Sequence, residues 1–152
     1  MDVHPLANGR PLVLAGVTVD SERGPEGHSD ADALSHAVID ALLGAAGLGD
    51  IGTHFPSSND EYRGTAGAEL VDRTLDLLEG SGWRVEYVDA TIVLERPRLS
   101  PFIAQIRRGL AASLKTETRN VNIKATTTDG LGTIGQGEGI AALAVATLVA
   151  TQ

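Results

Sequence analysis

The sequence predicts one α+β domain over residues 1–152, with helices laid on one face of a mixed sheet, and three observations carry that prediction. Apolar residues recur with a helical period from Leu34 to Ala45, whereas they alternate with polar ones from Arg119 to Thr126. Segments of the two kinds are interleaved along the chain with no internal repeat, linker or low-complexity tail. With 152 residues, 42% of them hydrophobic and 21% charged, the chain is long enough to bury one continuous core.

Taken in order, residues 11–19, PLVLAGVTV, suggest a strand or a hairpin turning at Ala15-Gly16, followed by a loop, SERGPEG. Leu34, Ala37, Val38, Ala41, Leu42 and Ala45 then define the clearest helix, stopped by Gly47 and Gly49. Asp32, His36 and Asp40 follow one another at a spacing of four and are expected to face outward, away from that apolar stripe. Ser29 is a candidate cap for this helix, with Asp32 three residues on. Residues 50–65 have no period and read as a long loop of the kind that carries function. A second helix is expected over 66–79, ended by Gly80, and a strand from Trp83 to Leu94 that stops before Arg96-Pro97-Arg98. Ser100 as cap and Pro101 as first residue introduce a third helix through Ile103, Ile106, Leu110 and Leu114. After the strand at 119–126 and a glycine run, Ile140–Val149 is expected to form a closing helix.

Composition narrows the function. The formal charge of −8 repels phosphate backbones and anionic membranes at long range, and 3% aromatic residues leave little on which single-stranded bases could stack, so nucleic acid is a poor partner. Without cysteine there is no disulfide, thiolate metal site or thiol nucleophile, and any metal must be held by His and carboxylate. No basic and apolar leader opens the sequence, and its longest apolar stretch is too short to span a bilayer, which makes a cytoplasmic protein the expectation.

Four segments can carry chemistry. In Asp2-Val3-His4 the two ionisable groups sit at i and i+2, on one face of an extended chain. With His36 they would supply the three O and N ligands of a catalytic zinc site, provided the fold brings residues 4 and 36 together; separately, each has the plain reading of a solvated side chain. His28-Ser29-Asp30-Ala31-Asp32 can be a cap alone, which accounts for the serine and the acids but not for His28, whose ring could touch a phosphate or a proton in transfer. Thr126-Thr127-Thr128-Asp129-Gly130 ends a strand with hydroxyls and backbone N–H groups suited to phosphate, plus a carboxylate suited to a hard cation. Arg96, Arg98 and Lys124 are local positive charges. Gly130-Leu131-Gly132-Thr133-Ile134-Gly135 matches a dinucleotide fingerprint in letters only, because the following strand and acidic residue are missing.

These motifs together, with DALLGAAGLGDIG at 40–52, Phe55-Pro56 and VNIKATTTDGLGTIGQGEGIA at 121–141, resemble the 2-C-methyl-D-erythritol 2,4-cyclodiphosphate synthase family over essentially the full length. The resemblance implies a homotrimer with sheets around a three-fold axis and active sites between subunits. The implied reaction converts 4-diphosphocytidyl-2-C-methyl-D-erythritol 2-phosphate to the cyclic diphosphate with release of CMP, in non-mevalonate isoprenoid precursor biosynthesis. It further implies zinc on Asp2, His4 and His36, and a second ion, Mg²⁺ or Mn²⁺, on Asp129. His28 and Thr127 match the pair that stabilises the transition state. Substrate contacts are implied for Asp2, Val3 and His4, for His28 and Ser29, and for Asp50, Ile51 and Gly52. Phe55, Pro56, Ser57, Ser58 and Asn59 continue the same contact loop. On the cytidine and diphosphate side the match gives Leu94, Arg96, Pro97, Arg98, Leu99 and Ser100, then Thr126, Thr127, Thr128 and Asp129, and finally Thr133 and Gln136. A metal-dependent phosphoesterase acting on a nucleotide diphosphate, and a non-catalytic metal- or nucleotide-binding trimer, are the competing readings.

Some positions depart from the family pattern. Ala31 stands where glycine is usual, Ser57 and Asn59 replace acids, Thr133 an aromatic and Gln136 an arginine. The short strand that usually precedes the first ligand is missing, so Asp2 is expected to be loosely held.

Overall fold

Residues 140–149, expected to form a closing helix, belong instead to Gly139–Ala150, the central strand of the molecule. The computed structural model describes residues 1–27 and 30–151. In chain order its elements are β1 (Asp2–Asn8), β2 (Leu12–Leu14), β3 (Val17–Val19), β4 (Arg23–Pro25), α1 (Ala33–Ala46), α2 (Ile51–His54), α3 (Gly67–Gly80), β5 (Trp83–Val93), α4 (Ile103–Ser113), β6 (Val121–Thr126), α5 (Gly132–Gly135) and β7 (Gly139–Ala150). The main sheet has the order β4-β1-β7-β5-β6, antiparallel except for the parallel β5–β6 pair. This is the α+β architecture with a mixed sheet that the interleaved patterns predict.

The sequence of β7 is an almost unbroken apolar run, and such a run does not separate a strand from a buried helix. Its alternation is nonetheless physical. Ile140 and Ala142 are buried, with Val88, Ala90 and Ile92 of β5 and Val121 and Ile123 of β6, whereas Val3, Tyr87, Leu143 and Val145 are exposed. Helix α1 packs on β7, α3 beside α1, and α4 on β6. One face of the sheet is therefore covered and the other left open and apolar. Leu34, Val38, Ile39, Leu42 and Leu43 of α1 are wholly buried, each stabilising the fold by roughly 1.5–3 kcal/mol relative to exposure.

The caps differ from those expected. Asp32, not Ser29, caps α1, accepting the Ser35 N–H, and Gly47 closes the helix at φ 71°. Ser29 lies outside the described residues. Ala15-Gly16 is the hairpin turn between β2 and β3, both residues at positive φ as a tight two-residue turn requires. Its Ala15 N–H donates to Asp32 Oδ2 at 2.7 Å, tying the hairpin to the start of α1. Helix α4 begins at Ile103 after a turn at residues 100–102 and has no side-chain cap, so Ser100 and Pro101 lie ahead of it. The 50–65 segment contains α2 and a single 3₁₀ turn, Asp60–Tyr62, and Gly80 is the last residue of α3 rather than its stop. No helix among the described residues is long and apolar enough to cross a membrane.

Candidate metal centre

Asp2 is not loosely held: it pairs with Ala142 of β7, as His4 pairs with Ile140, so both side chains are fixed by the sheet. They lie on the covered face, and Val3 between them projects to the open one, 53% exposed. His36 comes to meet them from α1. Asp2 Oδ2 lies 2.8 Å from His4 Nε2 and 3.3 Å from His36 Nδ1, and the two ring nitrogens are 3.3 Å apart.

Ligands at 2.0–2.1 Å in a tetrahedron are separated by about 3.3 Å, so these three atoms already outline one face of such a shell. His4 Nδ1 lies 3.1 Å from the Glu26 carbonyl, which can only accept, so Nδ1 carries a proton, and Nε2 is left to face Asp2 and His36: protonated it donates to Asp2, deprotonated it offers its lone pair to a metal. Gly27 allows this: a Cβ there would sit 3.0 Å from the His4 ring. The donor set fits a divalent metal and, lacking thiolate, matches the His and carboxylate composition the sequence allowed.

Burial alone would raise the Asp2 carboxyl, but hydrogen bonds and charge from His36 and His4 outweigh it and hold Asp2 well below the usual carboxylate range. The bond to Asp2 raises His4 above an ordinary imidazole, against the opposing effect of burial. The expectation that Asp32, His36 and Asp40 face outward together is wrong for two of them. Asp32 and His36 are buried, because β1 and α3 also pack on α1 and leave it no wide polar face. Burial pushes the Asp32 carboxyl up, opposed by donation from the Ser35 hydroxyl and N–H at 2.7 and 3.1 Å.

The other expected site residues fall into two groups. Parallel pairing of Val93 with Thr126 sets the 94–100 segment beside the 126–129 turn, with Leu94 N–H donating to Thr126 O at 3.0 Å. Glu95, which the sequence did not single out, accepts the Thr128 N–H at 3.3 Å. The Thr127 hydroxyl donates to Asp129 Oδ1 at 3.2 Å, and Asp129 adopts φ 54°. Arg96, Pro97, Arg98 and Gln136 line one cleft of about 950 Å³, where Arg23 also lies, its guanidinium donating to the carbonyls of Gly137 and Leu6. Thr133 belongs to α5, between Gly130 and Gly135 of the cleft lining, and does not line the cleft itself.

The second group is the 50–59 segment. Asp50 caps α2 by accepting the Thr53 N–H and hydroxyl, which hold its carboxyl below the usual range. Phe55 stacks edge-on against Tyr62 at 5.5 Å, Pro56 O accepts the Asn59 N–H, and Ser57 and Ser58 are exposed. None of these residues, and none of the three metal donors, lines the 950 Å³ cleft. His28 lies outside the described residues. Asp30, two residues later in the sequence, accepts the Gly67 N–H at 2.7 Å at the start of α3. Glu26 and Glu95 gave no signal in the sequence because one acts through its carbonyl and the other is a single acid in a strand-end loop.

Comparison with known proteins agrees with this arrangement. The sequence matches the YgbB family over residues 1–149. It is 52% identical over 145 residues to the 2-C-methyl-D-erythritol 2,4-cyclodiphosphate synthase of Pelotomaculum thermopropionicum, covering 95% of this chain and 90% of that one. Among solved structures it is similar to the bifunctional IspDF from Campylobacter jejuni, with a TM-score of 0.95 and 36% identity, covering 99% of this chain and 41% of that longer one. It is also similar to a 2C-methyl-D-erythritol-2,4-cyclodiphosphate synthase in its CDP-bound form, with a TM-score of 0.89 and 33% identity over 97% of this chain and 96% of that one.

Proposed function

The chain belongs to the YgbB family, and from that premise we infer that it is a phosphorus–oxygen lyase that makes an isoprenoid precursor, 2-C-methyl-D-erythritol 2,4-cyclodiphosphate. Its substrate is 4-diphosphocytidyl-2-C-methyl-D-erythritol 2-phosphate. An oxygen of the 2-phosphate bonds to the β-phosphorus as the bond from that phosphorus to CMP breaks. The observation that carries the reading is the Asp2–His4–His36 donor set, two of its three edges at the tetrahedral length and the third shorter at 2.8 Å, in a chain about half identical to synthases along nearly their whole length.

Zinc is the metal best suited to two imidazoles and a carboxylate, and when bound it supplies Lewis-acid polarisation of a phosphate oxygen. The chain's own part is placement, which dominates catalysis of phosphoryl transfer. The sheet and α1 fix the three donors. Thr127 offers a hydroxyl to the reacting phosphate, with His28 as its partner. Asp129 would hold a second divalent ion, Mg²⁺ or Mn²⁺, which would neutralise charge on the substrate's phosphates. The 94–100 segment takes the cytidine, and the 50–59 segment the methylerythritol.

The contact groups do not share one pocket of a single chain, which supports a site completed between subunits. The open apolar face around Val3, Tyr87, Leu143 and Val145 supplies a surface for a homotrimer around a three-fold axis. Val145→Asp should convert that trimer to monomers in light scattering; an active monomer of the unaltered chain would refute the assembly. The function is tested by product analysis with the cytidylyl substrate. Cyclic diphosphate plus CMP is expected. An open-chain bisphosphate plus CMP would make the protein a hydrolase, and CDP binding without turnover would make it a binding protein.

A further inference from the structure

Asp40 lies four residues beyond His36 on α1, on the same side of the helix and about 6 Å further along its axis. Its Oδ1 accepts the N–H of Ile51 at 2.9 Å. Ile51 opens α2, and its N–H is one of the donors that a helix leaves without an internal partner. Asp50 takes the Thr53 N–H and hydroxyl, both at 2.8 Å, but those bonds are internal to the turn. The Asp40 bond crosses from the turn to the helix that carries a metal donor. One face of α1 thus presents His36 to the metal and, a turn later, grips the start of the 50–52 segment.

We propose that Asp40 is a positioning residue that sets the 50–52 turn at a fixed distance from the metal centre, and so aligns the methylerythritol end of the substrate with the reacting phosphates. The proposal rests on the function inferred above. A single oxygen acceptor suffices for the task, so the role needs the carbonyl-like lone pair of Asp40 and not its charge.

Asp40→Ala and Asp40→Asn separate these requirements. Asp40 is half-buried and alanine is the best helix former, so the alanine variant should fold. It is expected to lose roughly 10- to 100-fold in kcat/KM for the complete substrate, through both kcat and KM. Metal stoichiometry and CDP affinity should stay unchanged, since CDP has no methylerythritol part. The Ile51 amide should exchange its hydrogen faster, a readout independent of turnover. Asp40→Asn, which keeps the acceptor, should return kcat/KM to within about threefold of the unaltered protein and protect Ile51 again. Unchanged kcat/KM in Asp40→Ala, or an Asp40→Asn variant as impaired as Asp40→Ala, would overturn the proposal. No turnover by the unaltered protein would instead overturn the function inferred for the whole site.

Discussion

Helix α1 and strand β7 are made of nearly the same residues, ALSHAVIDALLGAA and GIAALAVATLVA, and pack against each other, yet they do opposite work. The helix satisfies its own backbone, is opened by Asp32 and closed by Gly47, and is buried on almost every side. The strand borrows its hydrogen-bond partners from β1 and β5 and is covered on one face only. With the same alphabet, boundary chemistry and the identity of the neighbours decide the state. The metal donors lie on the seam where α1 meets β1, the strand beside β7: His36 depends on a self-contained helix, whereas Asp2 and His4 depend on the pairing of β1 with β7.

The largest effect comes from breaking the seam on the helix side. His36→Ala should lower turnover by at least about 100-fold and remove the bound metal, read by metal analysis beside the product assay. Stoichiometric metal retained in that variant would end the assignment. Within the packed layer, Leu42→Ala should cost about 2–5 kcal/mol in a denaturant titration. Val145→Ala on the open face of β7 should stay within about 0.5 kcal/mol for the isolated chain. Equal costs would erase the distinction between the covered and open faces.

A pH series sharpens the role of the strand side. In metal-free protein the depressed Asp2 contributes stability above its unfolded pKa of 3.8, lost as pH falls toward the folded value. The raised His4 contributes below its unfolded 6.5, lost as pH rises through its folded value. Thermal unfolding after chelation should therefore show the Asp2–His4 contribution between about pH 4 and 6.5, and Asp2→Asn should flatten it. Metal-loaded protein should change oppositely above pH 6.5, because deprotonated imidazole binds the metal better. Parallel profiles with and without metal would contradict the assigned donors.

A small effect is also expected at Ala31, a buried residue at φ 57° in the loop before α1. Glycine would relieve roughly 1–2 kcal/mol of left-handed strain but forfeit about 0.8 kcal/mol of methyl burial and add freedom to the unfolded chain. These offset, so Ala31→Gly should move Tm by less than about 3 °C in a melting experiment. A larger change would mean that the loop geometry depends on the methyl group.

Much of this was legible in the sequence for identifiable reasons. The α1 period, the Ala15-Gly16 turn and the i, i+2 placement of Asp2 and His4 are local patterns, and local geometry enforces them. The state of β7 was not local. Its outer face is apolar, so the polar alternation that marks a half-solvated strand is missing, and its antiparallel partners start 140 residues upstream in β1 and over 50 upstream in β5. The burial of His36 is not legible in the sequence, because an apolar stripe locates one covered side of a helix, while the number of covered sides is set by what else packs there. Glu26 acts through a backbone carbonyl, for which side-chain identity carries no information.

The pairing of Asp2 with Ala142 has a consequence for biosynthesis. On the ribosome the first metal donors emerge long before the strand that must hold them, and they remain without a template until β7 leaves the exit tunnel. Contacts between such distant residues close slowly, and the waiting edge of β1 is a surface that chaperones or other nascent chains can engage. Metal capture through these donors would then come late in maturation, and the rate of metal uptake by freshly released chains would report how quickly β1 and β7 find each other.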